Sequence, residues 1–404
     1  MRRSTIDLLQ CPFCGGSFAV ADCPGTAADD ASITHGVIYC TCNGYPVVDG
    51  IAYVREGATA GEAIKLLDVR DHAAARATLL GLSAADAAAL SAAPTFCAAL
   101  AVLGDTPENH YFLYRFSDPR FVSTDGLIRA LTGPGTQLPA GGVALDLCGG
   151  AGHLTRSFHR TGRFAHTLVA DYFFTKLWLA KHFVAPDADA ICLDADRGLP
   201  FVRGAFDFVL CSGAFEYVWS RRVLADEIKR LLTSRGVAAI THTRNLNCDT
   251  FNPGMPLDPA GYRRLVEELP NAFVAESALF QAVIKGQPVP PPGQSDAALE
   301  AEPTLALLFA KDIASLAPRP VPPLPRPSSV RLNPLYVRDG LRLTARFPTE
   351  DYEAEFGECL AYLPREVTLT PAQGAAIDGG VFDADALGEL FARRVVLDLP
   401  DRYL

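Results

Sequence analysis

Two stretches hold residue types that chemistry needs, at spacings that chemistry uses. The first is VALDLCGGAGHLT, residues 143–155, where a β-like apolar run reaches an acid at Asp146 and then a glycine-rich turn containing Gly150 and Gly152. Glycines let the backbone approach a ligand closely, and a helix beginning there offers free N–H groups. A dinucleotide fingerprint needs a third glycine three residues further on, and Thr155 stands at that position. The second stretch pairs Cys11 with Cys14 in LLQCPFCGG and Cys40 with Cys42 in YCTCNGYPVVDGIAYV. Two close thiol pairs, 25 residues apart, are what a tetrahedral structural zinc site requires. A unit of about 50 residues has little core of its own, so metal binding would contribute folding energy. A redox C-x-x-C is the second reading of Cys11 and Cys14, but no thioredoxin-like βαβ pattern surrounds them.

The elements that must position these residues can be read along the chain. Its 404 residues suggest two or three domains, and with 49% hydrophobic residues a sizeable core can be buried. Residues 1–56 are the cysteine-rich unit, and residues 57–135 are Ala- and Leu-rich with helical spacing, a connector or lid. From Gly142 a βα alternation begins, in which VALDL, HTLVAD, ADAICLD, FDFVLC and VAAITHT read as successive buried strands. Helical patterns separate the first and second, second and third, and fourth and fifth of these, which predicts a doubly wound parallel sheet over residues 136–314. ALFQAVIKG and TLALLFAKD are read as its last two strands. Residues 315–330 include PRPVPPLPRP, a semi-rigid proline-rich linker. Residues 331–404 read as a small α/β module of winged-helix type, with an Asp-Gly hairpin in LYVRDGLRLTARF and a helix running into a strand in DALGELFARRVVLDLP.

Net charge is −10, and residues 1–56 carry three arginines against six acids, so neither the chain nor its cysteine-rich unit suits a nucleic-acid coat. There is no run of eighteen apolar residues for a membrane span, and MRRSTIDLLQ lacks the apolar core of a signal peptide. The expected location is cytoplasmic, where clustered thiols suggest metal and scattered ones, such as Cys148, Cys192 and Cys211, are core residues.

The acid-x-x-x-Gly-x-Gly order of Asp146, Gly150 and Gly152 resembles the nucleotide loop of class I S-adenosylmethionine (SAM) methyltransferases, which usually have a further glycine where this chain has Cys148. Nineteen residues after Gly152 the strand HTLVAD ends in Asp171, and CLDADRGLPFVRGAFDFV then resembles the family's G-D-A-x-x-L-P-F-x-x-x-x-F-D-x-V segment. The resemblance implies a Rossmann-like fold and SAM as cofactor. It implies that Asp146 orients the loop and meets the ligand's ammonium group, and that Asp171 accepts from both ribose hydroxyls. Asp194 would receive the adenine amino group, the backbone of Ala195 would meet the ring, and Ser212 would lie at the cofactor. The cysteine-rich unit resembles the Trm112-like zinc ribbons through Tyr45, Pro46, Val47, Gly50 and Ile51. That family has C-x-x-C in its second knuckle, whereas Cys40 and Cys42 form C-x-C. Cys42 therefore still ligates, or Cys23 or His35 substitutes, or the ribbon has lost its metal. Trm112-like proteins bind class I methyltransferases and stabilise them, so a fused ribbon implies a built-in structural subunit.

For the acceptor, amino methyltransferases carry Asp/Asn-Pro-Pro-Tyr after the fourth strand, and CSGAFEYV stands here. Related small-molecule enzymes often have Glu-His-Val where this chain has Glu216, Tyr217 and Val218. Other candidates lie in ENHYFLYRFSDPRF, with His110, Tyr111, Tyr114 and Arg115, and in THTRN, with His242 and Arg244. His242 could remove an acceptor proton, since imidazole titrates near neutral pH, or be a histidine satisfied by hydrogen bonds near a strand end. Arg115 could hold a carboxylate or pair with Asp118, and Tyr114 could line the pocket or pack. The expected activity is methyl transfer to a small molecule, in secondary metabolism. The rivals are methylation of RNA or a translation factor, non-methylating SAM chemistry, and a non-catalytic scaffold.

Overall fold

The computed structural model describes residues 1–22, 31–248 and 254–404. Cys23 lies outside the described residues. The first four strands are β1 (Ala19–Asp22), β2 (Gly36–Tyr39), β3 (Gly44–Val48) and β4 (Ile51–Val54), an antiparallel run. Six helices follow: α1 (Ala58–Asp68), α2 (His72–Leu80), α3 (Ala84–Ala92), α4 (Phe96–Leu103), α5 (Pro107–Tyr114) and α6 (Pro119–Thr132). The next strands are β5 (Gly142–Leu147), β6 (Phe164–Asp171), β7 (Asp189–Leu193), β8 (Phe206–Ser212) and β9 (Leu232–Arg244). They alternate with α7 (His153–Arg160), α8 (Phe174–Leu179) and α9 (Arg221–Leu231). The expected five strands and the helices between them are all present.

All of these strands join one eleven-stranded sheet, β1-β2-β3-β4-β7-β6-β5-β8-β9-β11-β10, with β10 at Asn271–Ala275 and β11 at Thr304–Ala310. Strands β4 to β9 pair in parallel, while β9, β11 and β10 pair antiparallel, so the sheet is mixed rather than wholly parallel. The reading of ALFQAVIKG as a strand is corrected: Glu276–Ile284 is a helix, and β10 is the NAFVA before it. Its buried Leu279, Phe280 and Val283 recur at helical spacing, and a short apolar run does not by its content separate helix from buried strand.

The sheet has a core on each face. Ala190 and Cys192 face helices α1 to α6, and Ile191 and Leu193 face the other side with Leu9, Ile38 and Val47 of the N-terminal β region. The turn between β3 and β4 fixes three parts of the chain. Asp49, at φ 53°, accepts from Arg76 Nε at 2.5 Å and Nη2 at 2.8 Å on α2, and from Trp178 Nε1 at 3.0 Å on α8. Asp-Gly at this turn suits the left-handed backbone that a tight hairpin needs. On the far side, buried Asp189 at the start of β7 accepts from Arg2 N and Nε at 2.9 Å and from Thr5 Oγ1 at 2.6 Å, and holds His166 Nε2 at 2.7 Å. Burial raises the Asp189 carboxyl, but these donors outweigh it and hold it well below the usual range.

The proline-rich segment is strapped to the body rather than spanning free space. Carbonyls of Pro322 and Pro325 accept from Arg129 and Arg160, and Arg319 exchanges backbone hydrogen bonds of 2.8 Å with Val289. The C-terminal residues contain the expected hairpin, Tyr336–Asp339 with Arg342–Ala345, joined to Glu366–Thr368 in a three-stranded antiparallel sheet. Helices Pro371–Gly379 and Ala384–Ala392 pack beneath it.

Replacing Asp49 by alanine should destabilise the full chain by about 3 kcal/mol, because a half-buried guanidinium and an indole N–H lose their acceptor together. Asp49→Asn, which keeps an acceptor and tolerates positive φ, should cost less. Urea unfolding of the two variants beside the native chain measures the difference.

Candidate functional site

The carboxyl ends of β5 to β9 converge on a cavity of about 570 Å³. This is where open α/β sheets place ligands, at the point where the strand order reverses on either side of β5. Asp146, Gly150, Asp171, Asp194, Ala195, Ser212, Arg115 and His242 all line it. Gly152 and Tyr114 do not.

The glycine turn is held by its own hydrogen bonds. Gly149 N donates to Ala170 O at 3.0 Å, and Gly150 N donates to Asp171 Oδ2 at 2.9 Å. Phe173 N donates to the other Asp171 oxygen at 2.9 Å, so each carboxylate oxygen spends one lone pair on the backbone and retains one for a ligand hydroxyl. Gly150 adopts φ 56°. Cys148 is in the same left-handed region at φ 58°, at the position where the family has glycine, and there its side chain stores strain at the cavity wall. Gly152 has a packing role instead: an added Cβ would lie 2.9 Å from Ala180 Cβ. Thr155, in place of a third glycine, donates through Oγ1 to Asp146 Oδ2 at 2.7 Å. Burial pushes the Asp146 carboxyl up to about 7, against the pull of Thr155 and with a further push from Asp171.

At the other end, His242 sits where β9 gains one residue against β11: Ile240 opposes Leu307 and Thr243 opposes Leu305, so two residues face one. Such a bulge re-aims a side chain, and His242 takes φ 58°. Its backbone N–H leaves the ladder and donates to Glu276 Oε2 at 3.1 Å. Its ring is 7% exposed, and neither ring nitrogen has a hydrogen-bond partner. Burial, with Arg120, Arg244 and Arg115 nearby, lowers its pKa well below the ordinary imidazole value, so the ring is neutral near pH 7. Glu216 also lines the cavity with an unpartnered Oε2, its carboxyl raised by burial.

Arg115 is buried against Asp118 and lies 4.9 Å above the Tyr111 ring. Of the two expectations for Tyr114, the structure has the packing one: it lies edge-on against Tyr352 at 5.6 Å and is not in the cavity lining. His110 pairs with Asp105 at 2.7 Å, outside the cavity lining. The sequence reading did not single out Arg120, Lys176 or Glu355, which also line the cavity. Glu355 comes from the C-terminal unit and is placed by tertiary packing that local pattern does not carry.

The four sulfurs of Cys11, Cys14, Cys40 and Cys42 lie within 4.8 Å of one another, with three edges of 3.4–3.7 Å. A tetrahedral Zn–S₄ site with 2.3 Å bonds has edges of about 3.8 Å, so the cluster fits zinc, and the C-x-C turn brings both of its thiols to it. His35 is elsewhere: its ring stacks on His72 at 4.1 Å and faces Asp49 at 3.8 Å. These four cysteines would hold the ion as a closed structural site.

A family model described as a methyltransferase domain matches residues 145–240, from β5 into β9. The chain therefore carries a class I SAM-dependent methyltransferase domain. No curated protein matches it. Among solved structures it is similar to a chain of the Haloferax volcanii complex between the Trm112 methyltransferase activator and a methyltransferase, at 16% identity and TM-score 0.38, over 54% of this chain and 97% of that one. A SAM-dependent methyltransferase from Aquifex aeolicus is 15% identical with TM-score 0.32, over 53% and 97%. Geranyl diphosphate C-methyltransferase from Streptomyces coelicolor is 14% identical with TM-score 0.35, over 52% and 88%. The domain assignment rests on the family match.

Two outcomes are expected of these sites. If Asp146 meets the ammonium group of SAM, as the family resemblance implies, it must lose its proton to do so, and affinity for SAM should fall roughly tenfold from pH 8 to pH 6, with Asp146→Asn flattening that profile. Calorimetric titration at constant ionic strength over this range is the measurement. Mercurial treatment of the purified chain should release one zinc ion to a colorimetric chelator, and Cys14→Ser should release less and unfold at lower temperature.

Proposed function

We propose that the chain transfers a methyl group from SAM to a small-molecule acceptor held inside the cavity. The carrying observation is the two-ended cavity itself. One end presents Asp146, Asp171, Asp194 and the glycine turn, and the other presents His242, Glu216 and three arginines, with Glu355 of the C-terminal unit over it. Enclosure by α5, α6 and a C-terminal helix supports a small acceptor. A net charge of −10 does not favour RNA.

Bound SAM supplies an activated methyl group on a sulfonium centre, so alignment and exclusion of water can carry much of the rate. In this reading the free lone pairs of Asp171 accept from the ribose hydroxyls, Asp194 and Ala195 meet the adenine, and Asp146 meets the ammonium group. Ser212, whose Oγ accepts from Thr241 Oγ1 at 2.9 Å, keeps its own proton to donate into the cavity. His242 is neutral with both nitrogens unpartnered, so it can accept the acceptor's proton as the new bond to the methyl carbon forms. The four-cysteine cluster would hold zinc away from the cavity, as a structural ion.

Calorimetric titration with SAM should show binding by the native chain and at least tenfold weaker binding by Asp171→Ala. No binding by the folded native chain would overturn the reading. With an acceptor found by screening, S-adenosylhomocysteine should accumulate one for one with methylated product. His242→Gln should then lower kcat about a hundredfold while SAM affinity holds.

A further inference from the structure

A second cavity of about 420 Å³ lies beyond the first, lined on its outer side by residues such as Ser277, Phe280, Glu302 and Pro303. Arg120, His242, Arg244 and Glu355 line both cavities, so these four side chains stand between them. One oxygen of Glu355 lies 2.8 Å from Arg120 Nη2 and 3.7 Å from Arg244 Nη2. The arginine side chains are 19% and 18% exposed, whereas Glu355 is 45% exposed and sits near the end of the helix Glu350–Phe356. Glu355 is therefore the most solvent-exposed member of the trio.

The Arg120 side chain has a second contact besides Glu355. The Arg120 guanidinium lies 4.7 Å over the Phe356 ring, and its backbone N–H donates to Asp118 Oδ1 at 2.7 Å at the start of α6. The third arginine, Arg115, is already paired with Asp118. Two buried carboxyls face the same region. Glu276 accepts from Ser123 Oγ at 3.0 Å and from His242 N at 3.1 Å, and Glu216 lies across the cavity. Burial raises both, Glu276 to about 7, which weakens their competition for the arginines. The unpartnered ring of His242 stands beside this pair with no protein group to satisfy it, which indicates that a ligand completes the site.

We infer that Arg120 and Arg244 form a carboxylate-binding subsite for the methyl acceptor, and that Glu355 is its internal stand-in, displaced when the acceptor's own carboxylate arrives through the outer cavity. The inference rests on the methyltransferase reading above and names the acceptor class as a small carboxylic acid. Displacement removes the side chain that separates the two cavities and exchanges one carboxylate for another. The arginines never lose a counter-ion, and leaving buried charges unpaired is the costly alternative. Arg120 and Arg244 would set specificity, with His242 placed beside the acceptor's reacting group.

The test uses the full chain saturated with S-adenosylhomocysteine and titrated with acetate, benzoate and 4-hydroxybenzoate, each beside its neutral amide. Ligand-observed magnetic resonance gives the affinities, and SAM affinity is read in parallel on every variant as the check of folding. At least one carboxylate should bind ten times more tightly than its amide. Glu355→Gln should tighten that carboxylate about tenfold and leave the amide unchanged, and Arg120→Gln and Arg244→Gln should each weaken the carboxylate about tenfold. Equal binding of acid and amide, no binding of any acid to the Glu355→Gln chain, or no gain from that substitution would overturn the inference while SAM binding stands. Failure of SAM to bind the native chain would instead overturn the underlying reading.

Discussion

Strand β4 lies parallel to β7 with Ile51 opposite Ala190, Ala52 opposite Ile191, Tyr53 opposite Cys192 and Val54 opposite Leu193. Each opposed pair faces the same side of the sheet and enters the same core. A slip of one residue would turn all four ribbon side chains to the wrong face, so burial on both sides fixes the register. The pairing also removes an edge. Without it, β7 would present a row of unpaired backbone groups on a strand whose residues are all buried. Consequences run outward from this ladder. It brings the Asp49 turn against α2 and α8, and it ends beside the cavity wall. There Arg55 stacks 3.5 Å over Tyr172, next to Asp171, and donates to the Tyr172 carbonyl at 2.9 Å. The cysteine cluster fastens the outer end of the same unit, so order at the thiols is order two strands from the cavity.

The C-terminal end is tied in just as firmly from the opposite side. Tyr403 is fully buried, stacks on Phe96 at 4.8 Å, and donates from its hydroxyl to Phe112 O at 2.7 Å. The same hydroxyl meets His153 Nε2 at 2.9 Å, and His153 is the first residue of α7 after the glycine turn. Backbone hydrogen bonds from Phe96 N and Cys97 N to the carbonyls of Arg402 and Tyr403 complete the attachment. The N-terminal β region and the C-terminus are thus tied to the surroundings of the glycine turn from two directions. The extra units have a structural role whatever the acceptor is.

What the sequence made legible and what it hid follow from the range of the forces involved. The parallel strands are short apolar runs ending in Asp146, Asp171 and Asp194, and the reason they are apolar, burial on both faces, acts residue by residue. The cysteine pairs were readable because metal geometry needs close spacing in the chain. The helix Glu276–Ile284 escapes the strand reading of ALFQAVIKG because a short, mainly apolar run satisfies either period. The bulge at His242 left no local mark: THTR does not announce a left-handed residue, and the bulge exists only relative to β11, more than sixty residues on. Glu355 was hidden for the same reason, more than two hundred residues from the α6 it touches. The position of Tyr114 depended on Tyr352 in the same way.

The charge distribution gives the cavity a direction. Asp146, Asp171 and Asp194 line it beside the ends of β5, β6 and β7, with Lys176 near Asp171, whereas Arg120 and Arg244 line it beside β9 and Arg115 acts on both Asp146 and His242. On the proposed reading a cationic methyl donor would be favoured beside the carboxylates and disfavoured beside Arg120 and Arg244. Burial raises Glu216 and Glu276 near the arginines and also raises Asp146 and Asp171, so each of these carboxyls contributes its charge only when ionised. His242 lies at the boundary, neutral because the same arginines and the same burial disfavour its proton. In the exchange inferred above the acceptor's carboxylate takes the place of that of Glu355, so the arginines keep one counter-ion throughout and His242 stays neutral and able to accept a proton.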